Sequence, residues 1–155
     1  MNKRERIYQI TAILLMIDQA IKLLVSSKMH LYQSISIIPH FFSLSYVKNT
    51  GAAFSLFENH TILLTIISAI FVVIMDFYIK KEQKNFEKNE LTSMGMIMGG
   101  IFGNMIDRIL HHSVIDYLSF QFGSYYFPVF NFADICIVLG VILLIGYPLY
   151  KKIRK

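Results

Sequence analysis

Two acidic residues, Asp116 and Asp134, lie beside long apolar stretches of the chain and are the first candidates for chemistry. A carboxylate in or next to hydrocarbon is costly, so an acidic residue there indicates a functional site. Two carboxyls that come close together share one proton, which allows one to act as a general base while the other acts as a general acid. Asp116 and Asp134 therefore suggest an aspartyl dyad.

A second polar group follows at helical spacing. Asn104, Asp107 and Arg108 are spaced i, i+3 and i+4, which places them on one face of a helix. By chemistry alone, Asp107 is as good a member of the dyad as Asp116 or Asp134. The alternative is an ion pair of Asp107 with Arg108 or another neighbour, which would hold helices together.

Amides and one charge pair complete the set of candidates. Asn131 precedes an apolar stretch and is expected to cap a helix, to contribute an amide to the site, or both. Asn49 offers a donor and an acceptor, and Gly51 lets another segment approach the backbone; a simple turn is the alternative for both. Asp18 and Lys22 are four residues apart, which favours a structural ion pair.

The sequence predicts neither a metal site nor a cofactor. His111 and His112 are adjacent instead of being spaced as ligands on one face. Cys136 is the single cysteine, so an intrachain disulfide is excluded and a buried structural thiol is expected. The usual serine and zinc hydrolase motifs are missing, and an aspartyl dyad needs no cofactor.

The composition indicates an integral membrane protein. Of the 155 residues, 55% are hydrophobic and only 16% are charged, against roughly 25% charged in soluble domains. A net charge of +5 can indicate nucleic-acid binding, but here the basic residues gather at the termini and in one loop. That distribution is typical of membrane topology, so no nucleic-acid partner is expected.

Four apolar stretches are each about as long as a bilayer span. They predict a single membrane domain over residues 1–155 whose four transmembrane helices cover approximately residues 7–25, 62–79, 91–110 and 132–150. Lysines and arginines precede the first stretch, separate the second from the third, and follow the fourth. Because such residues favour the cytoplasm, both termini are expected inside and the dyad near the outer face. A cleavable signal peptide is the alternative for the first stretch.

The two remaining connections predict strands. Residues Ser34–Ile37 and Phe42–Val47 alternate with period two, and Pro39 separates them. Tyr117–Phe130 is aromatic and contains Gly123, which favours a hairpin. These segments predict a small sheet lying on the outer surface of the membrane.

Five motifs in order make the sequence similar to the lipoprotein signal peptidase family, also called signal peptidase II. They are Asp18-Gln19-x-x-Lys22, Asn49-x-Gly51-Ala52-Ala53-Phe54-Ser55, Gly103-Asn104-x-x-Asp107-Arg108, Val114-Ile115-Asp116-Tyr117 and Phe127-Pro128-x-Phe130-Asn131-Phe132-Ala133-Asp134. The departures are small: Tyr117 stands where the family often has Phe, and Ile135 stands where Ser is common.

The resemblance implies an all-α bacterial inner-membrane protein with four spans, an extracytoplasmic β-cradle and a short amphipathic helix. It implies an aspartic endopeptidase that removes signal peptides from diacylglyceryl-modified prolipoproteins before the lipidated cysteine, with membrane lipids as partners and a monomer as the expected state. Asp116 and Asp134 are then the catalytic pair. Site support is implied for Asn49, Gly51, Asn104, Asp107, Arg108 and Asn131.

A small transporter or proton channel is the rival hypothesis, because intramembrane carboxylates also form proton relays. A relay through Asp18, Asp107, Asp116 and Asp134 would be spread across the membrane, whereas most of these acids are expected near one face. A purely structural helix bundle would not explain why the chain carries so many costly polar groups in and beside its apolar stretches. The sequence therefore favours the protease.

Overall fold

The computed structural model describes residues 2–51, 57–82 and 84–154. It contains four helices and a four-stranded antiparallel sheet. In chain order the elements are α1 (Lys3–Lys28), β1 (Ser34–Ile38), β2 (Phe42–Asn49), α2 (Thr61–Glu82), α3 (Lys88–His111), β3 (Val114–Phe122), β4 (Tyr125–Tyr126) and α4 (Phe132–Ile153). Each predicted span lies within one of these helices, and both pairs of predicted strands form.

Three of the helices, α1, α2 and α4, are long and apolar enough to cross a membrane, within the part of the chain that is described. The helix α3 differs from them, since it buries eleven of its 24 residues while the other three bury three to five each. It packs against α1, α2 and α4 and so forms the centre of the bundle. Its polar residues Ser93, Asn104 and Asp107 are therefore enclosed by protein.

Close packing of α3 depends on residues without side chains. A Cβ atom on Gly99 would lie 3.1 Å from Leu14 and 3.2 Å from the carbonyl oxygen of Thr11, both on α1. From the opposite side, a Cβ atom on Gly140 of α4 would lie 2.7 Å from Ile97 Cγ1. Small residues of this kind let helix backbones approach each other closely in membranes.

The sheet has the strand order β1-β2-β3-β4. Its central pair is in a register that places Val47 opposite Asp116 and Asn49 opposite Val114. Side chains two residues apart on a strand share a face, so Asn49 and Asp116 lie diagonally on the same face. The expected hairpin forms between β3 and β4, with Gly123 at a φ of +63° in its turn.

The sheet and α4 are joined by one backbone bridge. Phe130 and Leu118 exchange hydrogen bonds of 2.8 and 3.1 Å between their backbone groups, and Tyr117 also donates to the Phe130 carbonyl at 3.0 Å. This bridge holds the residue before Asn131 against β3. As a result, α4 begins beside the strand that carries Asp116.

The helix packing generates a test on two glycines of α4. In Gly140→Ala, the new methyl group meets Ile97 and the Ser93 carbonyl of α3, so we expect a loss of about 1–3 kcal/mol in the free energy of unfolding. Gly146→Ala is the matched control, because a Cβ atom there has open space and alanine favours a helix by up to about 1 kcal/mol. Thermal unfolding of both variants in detergent measures the difference. Equal melting temperatures would contradict this packing.

Candidate active site

Asp116 is held by two amide groups. Its Oδ1 atom accepts a hydrogen bond of 2.6 Å from Asn131 Nδ2, and its Oδ2 atom accepts one of 2.9 Å from Asn49 Nδ2. The side-chain oxygen of Asn49 in turn accepts from the backbone N–H of Gly51 at 2.9 Å. Asp116 is only 3% exposed. Both of its carboxyl oxygens therefore face donors inside the protein.

Asp134 lies in the first turn of α4. Its Oδ2 atom accepts from the backbone N–H of Asn131 at 3.1 Å, while Asn131 Oδ1 accepts from the N–H of Asp134 at 3.0 Å. This reciprocal pair is a capping box, so Asn131 caps α4 as the sequence predicts. The other carboxylate oxygen of Asp134 accepts from Asn104 Nδ2 at 2.7 Å.

The start of α4 is capped by residues of two other elements, β3 and α1, and by its own N-cap residue. Its first two N–H groups, on Phe132 and Ala133, donate to the Tyr117 hydroxyl at 3.1 Å and to Asp18 Oδ1 at 3.0 Å. The third, on Asp134, is the one that donates to Asn131. Free N–H groups at a helix start need acceptors when they are buried. Residues from α1 and β3 thus determine where Asp134 is held.

Asn104 and Asn131 connect the two carboxyl groups. Asn131 Nδ2 donates both to Asp116 and, at 3.1 Å, to the side-chain oxygen of Asn104. Asn104 then donates to Asp134. Asp116 and Asp134 are thus linked through two side-chain amides, and among the described residues the hydrogen bonds of Asn131 reach both acids. The structure brings together four residues that the sequence proposed for one site.

Lys22 lies behind this network with its side chain only 2% exposed. It forms ion pairs of 2.9 Å with Asp18 and with Asp107, and it donates to Asn104 Oδ1 at 3.0 Å. The predicted pair of Asp18 and Lys22 is therefore present. It is also larger than predicted, because it includes Asp107 and reaches an asparagine beside Asp134.

The ion pair considered for Asp107 forms with a neighbour, Lys22 of α1, and not with Arg108. Asp107 pairs with Lys22 and accepts from the Ile115 N–H at 3.0 Å, whereas Arg108 donates to the Gly51 carbonyl at 3.3 Å. Consecutive helical residues point in different directions, so Asp107 faces α1 while Arg108 faces the loop after β2. Within the described residues, Arg108 Nε is buried without a hydrogen-bond partner.

A cavity of about 1000 Å³ opens in front of the two acids. Its polar lining includes Asn49, Gly51, Asn104, Arg108, Asp116 and Asp134. Most of the remaining wall is apolar and is formed by Phe127–Phe130 and by Ile135, Ile137, Val138 and Leu139 of α4. Such a cavity suits an apolar substrate that is cleaved by a few polar groups.

Burial raises the pKa of Asp116 to about 7 from its ordinary value of 3.8, and the neighbouring charge of Asp134 acts in the same direction. The hydrogen bonds from Asn49 and Asn131 oppose this shift without cancelling it. A protonated carboxyl next to an ionised one is the arrangement that acid–base catalysis by a carboxyl pair needs.

Several contacts of the site are not predicted from the sequence. In the sequence Tyr117 stands out only as a departure from a family pattern, and the contact of Lys22 with Asn104 joins residues 82 positions apart. The available signal is the position of Asp18 and Lys22 inside an apolar stretch, because a charge there needs a partner. Ala52, Ala53, Phe54 and Ser55 lie outside the described residues.

The fold and the site together define a class of protein. A bundle of apolar helices with two carboxyl groups on the wall of a largely apolar cavity is a membrane protein that carries groups of the type used in acid–base catalysis. Within the described residues, no group of three or more His, Cys, Asp and Glu side chains is placed to hold a metal ion.

Comparison with known proteins identifies the family. The model of the family described as "Signal peptidase (SPase) II" matches residues 10–150, so the chain belongs to the signal peptidase II family. It is similar to the lipoprotein signal peptidase of Symbiobacterium thermophilum, with 44% identity over 83% of this chain and 84% of the relative. The corresponding protein of Listeria monocytogenes serotype 4a is 37% identical over 90% of both chains.

Two solved structures share the fold. A bacterial membrane enzyme solved by the in meso method at 2.3 Å resolution has a TM-score of 0.84 and 29% identity, covering 96% of this chain and 90% of that one. A second, solved at 1.9 Å, has a TM-score of 0.80 and 30% identity, covering 92% of both. The predicted family and activity, a membrane aspartic protease of the lipoprotein signal peptidase type, are confirmed. The transporter hypothesis is not supported.

The cap on α4 generates a test of Tyr117. In Tyr117→Phe, the partly buried N–H of Phe132 loses its acceptor, so we expect the free energy of unfolding to fall by about 0.5–1.5 kcal/mol. Tyr126→Phe is the control, because Tyr126 is exposed on β4. Thermal unfolding in detergent compares the two variants. A melting temperature of Tyr117→Phe equal to that of the control would show that the hydroxyl is not needed as a cap.

The raised pKa of Asp116 generates a test of stability against pH. Between about pH 4 and 7 the folded protein keeps the Asp116 proton and the unfolded chain has lost it. The contribution of Asp116 to the free energy of unfolding is therefore complete below about pH 4 and is lost as the pH rises towards 7. Thermal unfolding at about pH 4.5 and 7.5 should show a smaller loss of stability in Asp116→Asn than in the wild type. The same pH dependence in both proteins would contradict the shift.

Proposed function

We propose that Asp116 and Asp134 form the catalytic pair of a signal peptidase II that cleaves lipid-modified prolipoproteins. The observation that carries this proposal is the network in which Asn131 donates to Asp116 through its side chain and to Asp134 through its backbone. Asp107 is an equal candidate by chemistry alone. Its contacts with Lys22 and Ile115 favour a supporting role instead.

In the proposed mechanism the two carboxyls differ in protonation. Asp116, whose pKa is raised by burial, holds the shared proton near neutral pH. Asp134 lies at the N-terminus of α4, where the helix dipole stabilises an anion, and two N–H donors hold its oxygens. Asp134 is therefore the general base that takes a proton from the attacking water. Asp116 is the general acid that donates to the oxygen of the scissile carbonyl.

Asn49 and Arg108 support this chemistry from the cavity wall. Asn49 orients Asp116, and its own orientation is set by the N–H of Gly51. Arg108 Nε, which has no hydrogen-bond partner among the described residues, is a donor for a substrate carbonyl or for the negative charge that develops on its oxygen. No metal or cofactor enters the mechanism.

The substrate we propose is a diacylglyceryl-modified prolipoprotein, cut immediately before the lipidated cysteine. A signal peptide is itself an apolar helix in the bilayer, and the apolar side of the cavity along α4 suits such a segment. Its lipid chains would remain in the membrane beside the enzyme. The relatives named lipoprotein signal peptidase support this class of substrate.

The proposed setting is the bacterial cytoplasmic membrane. In it, α3 joins the three apolar helices as a fourth span, both termini are cytoplasmic, and the enzyme acts as a monomer. The sheet forms a β-cradle at the outer face; the short amphipathic helix that the resemblance implies is not among the helices of the described residues. The aromatic side chains of Phe122, Tyr125 and Tyr126 are exposed on this sheet, as suits a membrane interface.

Asp116→Asn and Asp134→Asn test the assignment of the pair. An amide cannot exchange the proton that each carboxyl transfers, so we expect each variant to lose cleavage entirely and to remain folded. The assay incubates purified protein in nanodiscs with a diacylglyceryl-modified prolipoprotein and identifies the products by mass. Thermal unfolding checks the fold.

Asp76→Asn is the matched control, since Asp76 is a carboxylate of α2 that contacts Tyr8 and Lys80. It should cleave at the wild-type rate. Normal processing by either Asp116→Asn or Asp134→Asn would sink the proposal.

A further inference from the structure

The ammonium group of Lys22 has no donor capacity left over. It carries three hydrogens and only donates, and three acceptors lie at 2.9, 2.9 and 3.0 Å. Two of these acceptors are the carboxylates of Asp18 and Asp107, whose charge Lys22 offsets. The third is the side-chain oxygen of Asn104, a neutral group. Charge neutralisation therefore does not account for the third contact.

That third contact fixes the direction of a side-chain amide. Because Lys22 donates to Oδ1 of Asn104, the NH2 group of Asn104 must point away from Lys22, and it donates to Asp134 Oδ1 at 2.7 Å. Asn131 Nδ2 supports the same orientation by donating to Asn104 Oδ1 at 3.1 Å. The bond from Lys22 is charge-assisted and is the stronger of the two constraints.

We propose that Lys22 is a positioning residue for the aspartate pair. By holding the carbonyl oxygen of Asn104, it keeps the NH2 group directed at Asp134, where it stabilises the carboxylate that activates water. This inference rests on the function proposed above. It gives the buried charge cluster a role in the reaction as well as in stability.

The consequence of losing Lys22 follows from the geometry. A rotated Asn104 amide would place its carbonyl oxygen against Asp134 Oδ1, which brings two acceptors together and favours the protonated carboxyl. A protonated Asp134 cannot act as the base. The other charged groups on the cavity wall are Asp116 of β3, Arg108 of α3, Lys48 of β2 and Glu58.

The test removes the donor while preserving the charge of the cluster. Two carboxylates and one ammonium carry a net charge of −1, and so does the cluster in Lys22→Met combined with Asp18→Asn, in which only Asp107 is charged. The asparagine introduced by Asp18→Asn keeps an oxygen for the Ala133 N–H. We expect kcat for a diacylglyceryl-modified prolipoprotein to fall about tenfold, with KM unchanged. The acidic limb of the pH profile of kcat/KM should move to higher pH.

Gln19→Met is the matched control. Gln19 is on the same helix and donates to Asp18, to Asp107 and to the Gly103 carbonyl, but none of these bonds involves Asn104 or the ammonium group. Its loss is expected to lower the melting temperature and to leave the pH profile unchanged. If Lys22 only stabilised the fold, its loss should likewise lower the melting temperature and leave the pH profile unchanged.

Coupling to Asn104 provides the decisive comparison. If Lys22 acts through Asn104, the effect of Lys22→Met/Asp18→Asn on kcat should largely disappear in a protein that already carries Asn104→Leu. Fully additive effects, or a wild-type pH profile in Lys22→Met/Asp18→Asn, would overturn the proposal. Activity in Asp116→Asn or Asp134→Asn would instead overturn the function on which it rests.

A second variant covers the case in which Lys22→Met/Asp18→Asn does not fold. Asn104→Asp retains an oxygen for Lys22 and places another oxygen against Asp134. We expect this variant to keep its fold and to lose kcat with the same shift of the acidic limb. A wild-type rate and pH profile in Asn104→Asp would show that Asp134 does not need the donor, and the proposal would fail.

Discussion

The buried start of α4 is the constraint on which the rest of the site depends. Its first three N–H groups are partly or fully buried, and each has an acceptor, namely Tyr117, Asp18 and Asn131. Meeting this requirement brings β3, α1 and α4 to one point. Asp134 lies in the turn that is fixed in this way, and Asp116 lies one residue before Tyr117. The geometry of the carboxyl pair therefore follows from capping a helix inside the protein.

The side-chain amides of Asn104 and Asn131 each have their direction set by a group that can only donate a hydrogen bond. An ammonium only donates and a backbone N–H only donates, so Lys22 orients Asn104 and the N–H of Asp134 orients Asn131. Both amides then present NH2 groups to carboxylates. An arrangement fixed before substrate binds has no reorganisation cost during the reaction, which is the advantage of preorganised electrostatics.

Local patterns in the sequence predict much of this structure, and distant contacts account for what they miss. Alternation predicts β1 and β2, an asparagine before an apolar stretch predicts the cap on α4, and i, i+4 spacing predicts the pair of Asp18 and Lys22. The sequence does not predict that Asp107 pairs with Lys22 instead of Arg108, because that choice depends on how α1 packs against α3. The sequence separates Asp107 from the dyad candidates only through family resemblance, whereas the contacts of Asp107 with Lys22 and Ile115 give a physical reason.

The residues of the hydrogen-bond network around the two acids are far apart in the sequence, and this has a consequence for how the protein is made. Asp18 and Lys22 emerge from the ribosome long before their partners, since Asn104 follows Lys22 by 82 residues and Ala133 follows Asp18 by 115. During that interval Asp18 and Lys22 can neutralise each other within α1 through their i, i+4 ion pair. This pairing lowers the cost of placing both charges in hydrocarbon. The same ammonium later bonds to α3 when that helix packs. Asp134 arrives last, so the nascent chain has no complete carboxyl pair until the first turn of α4 has been made.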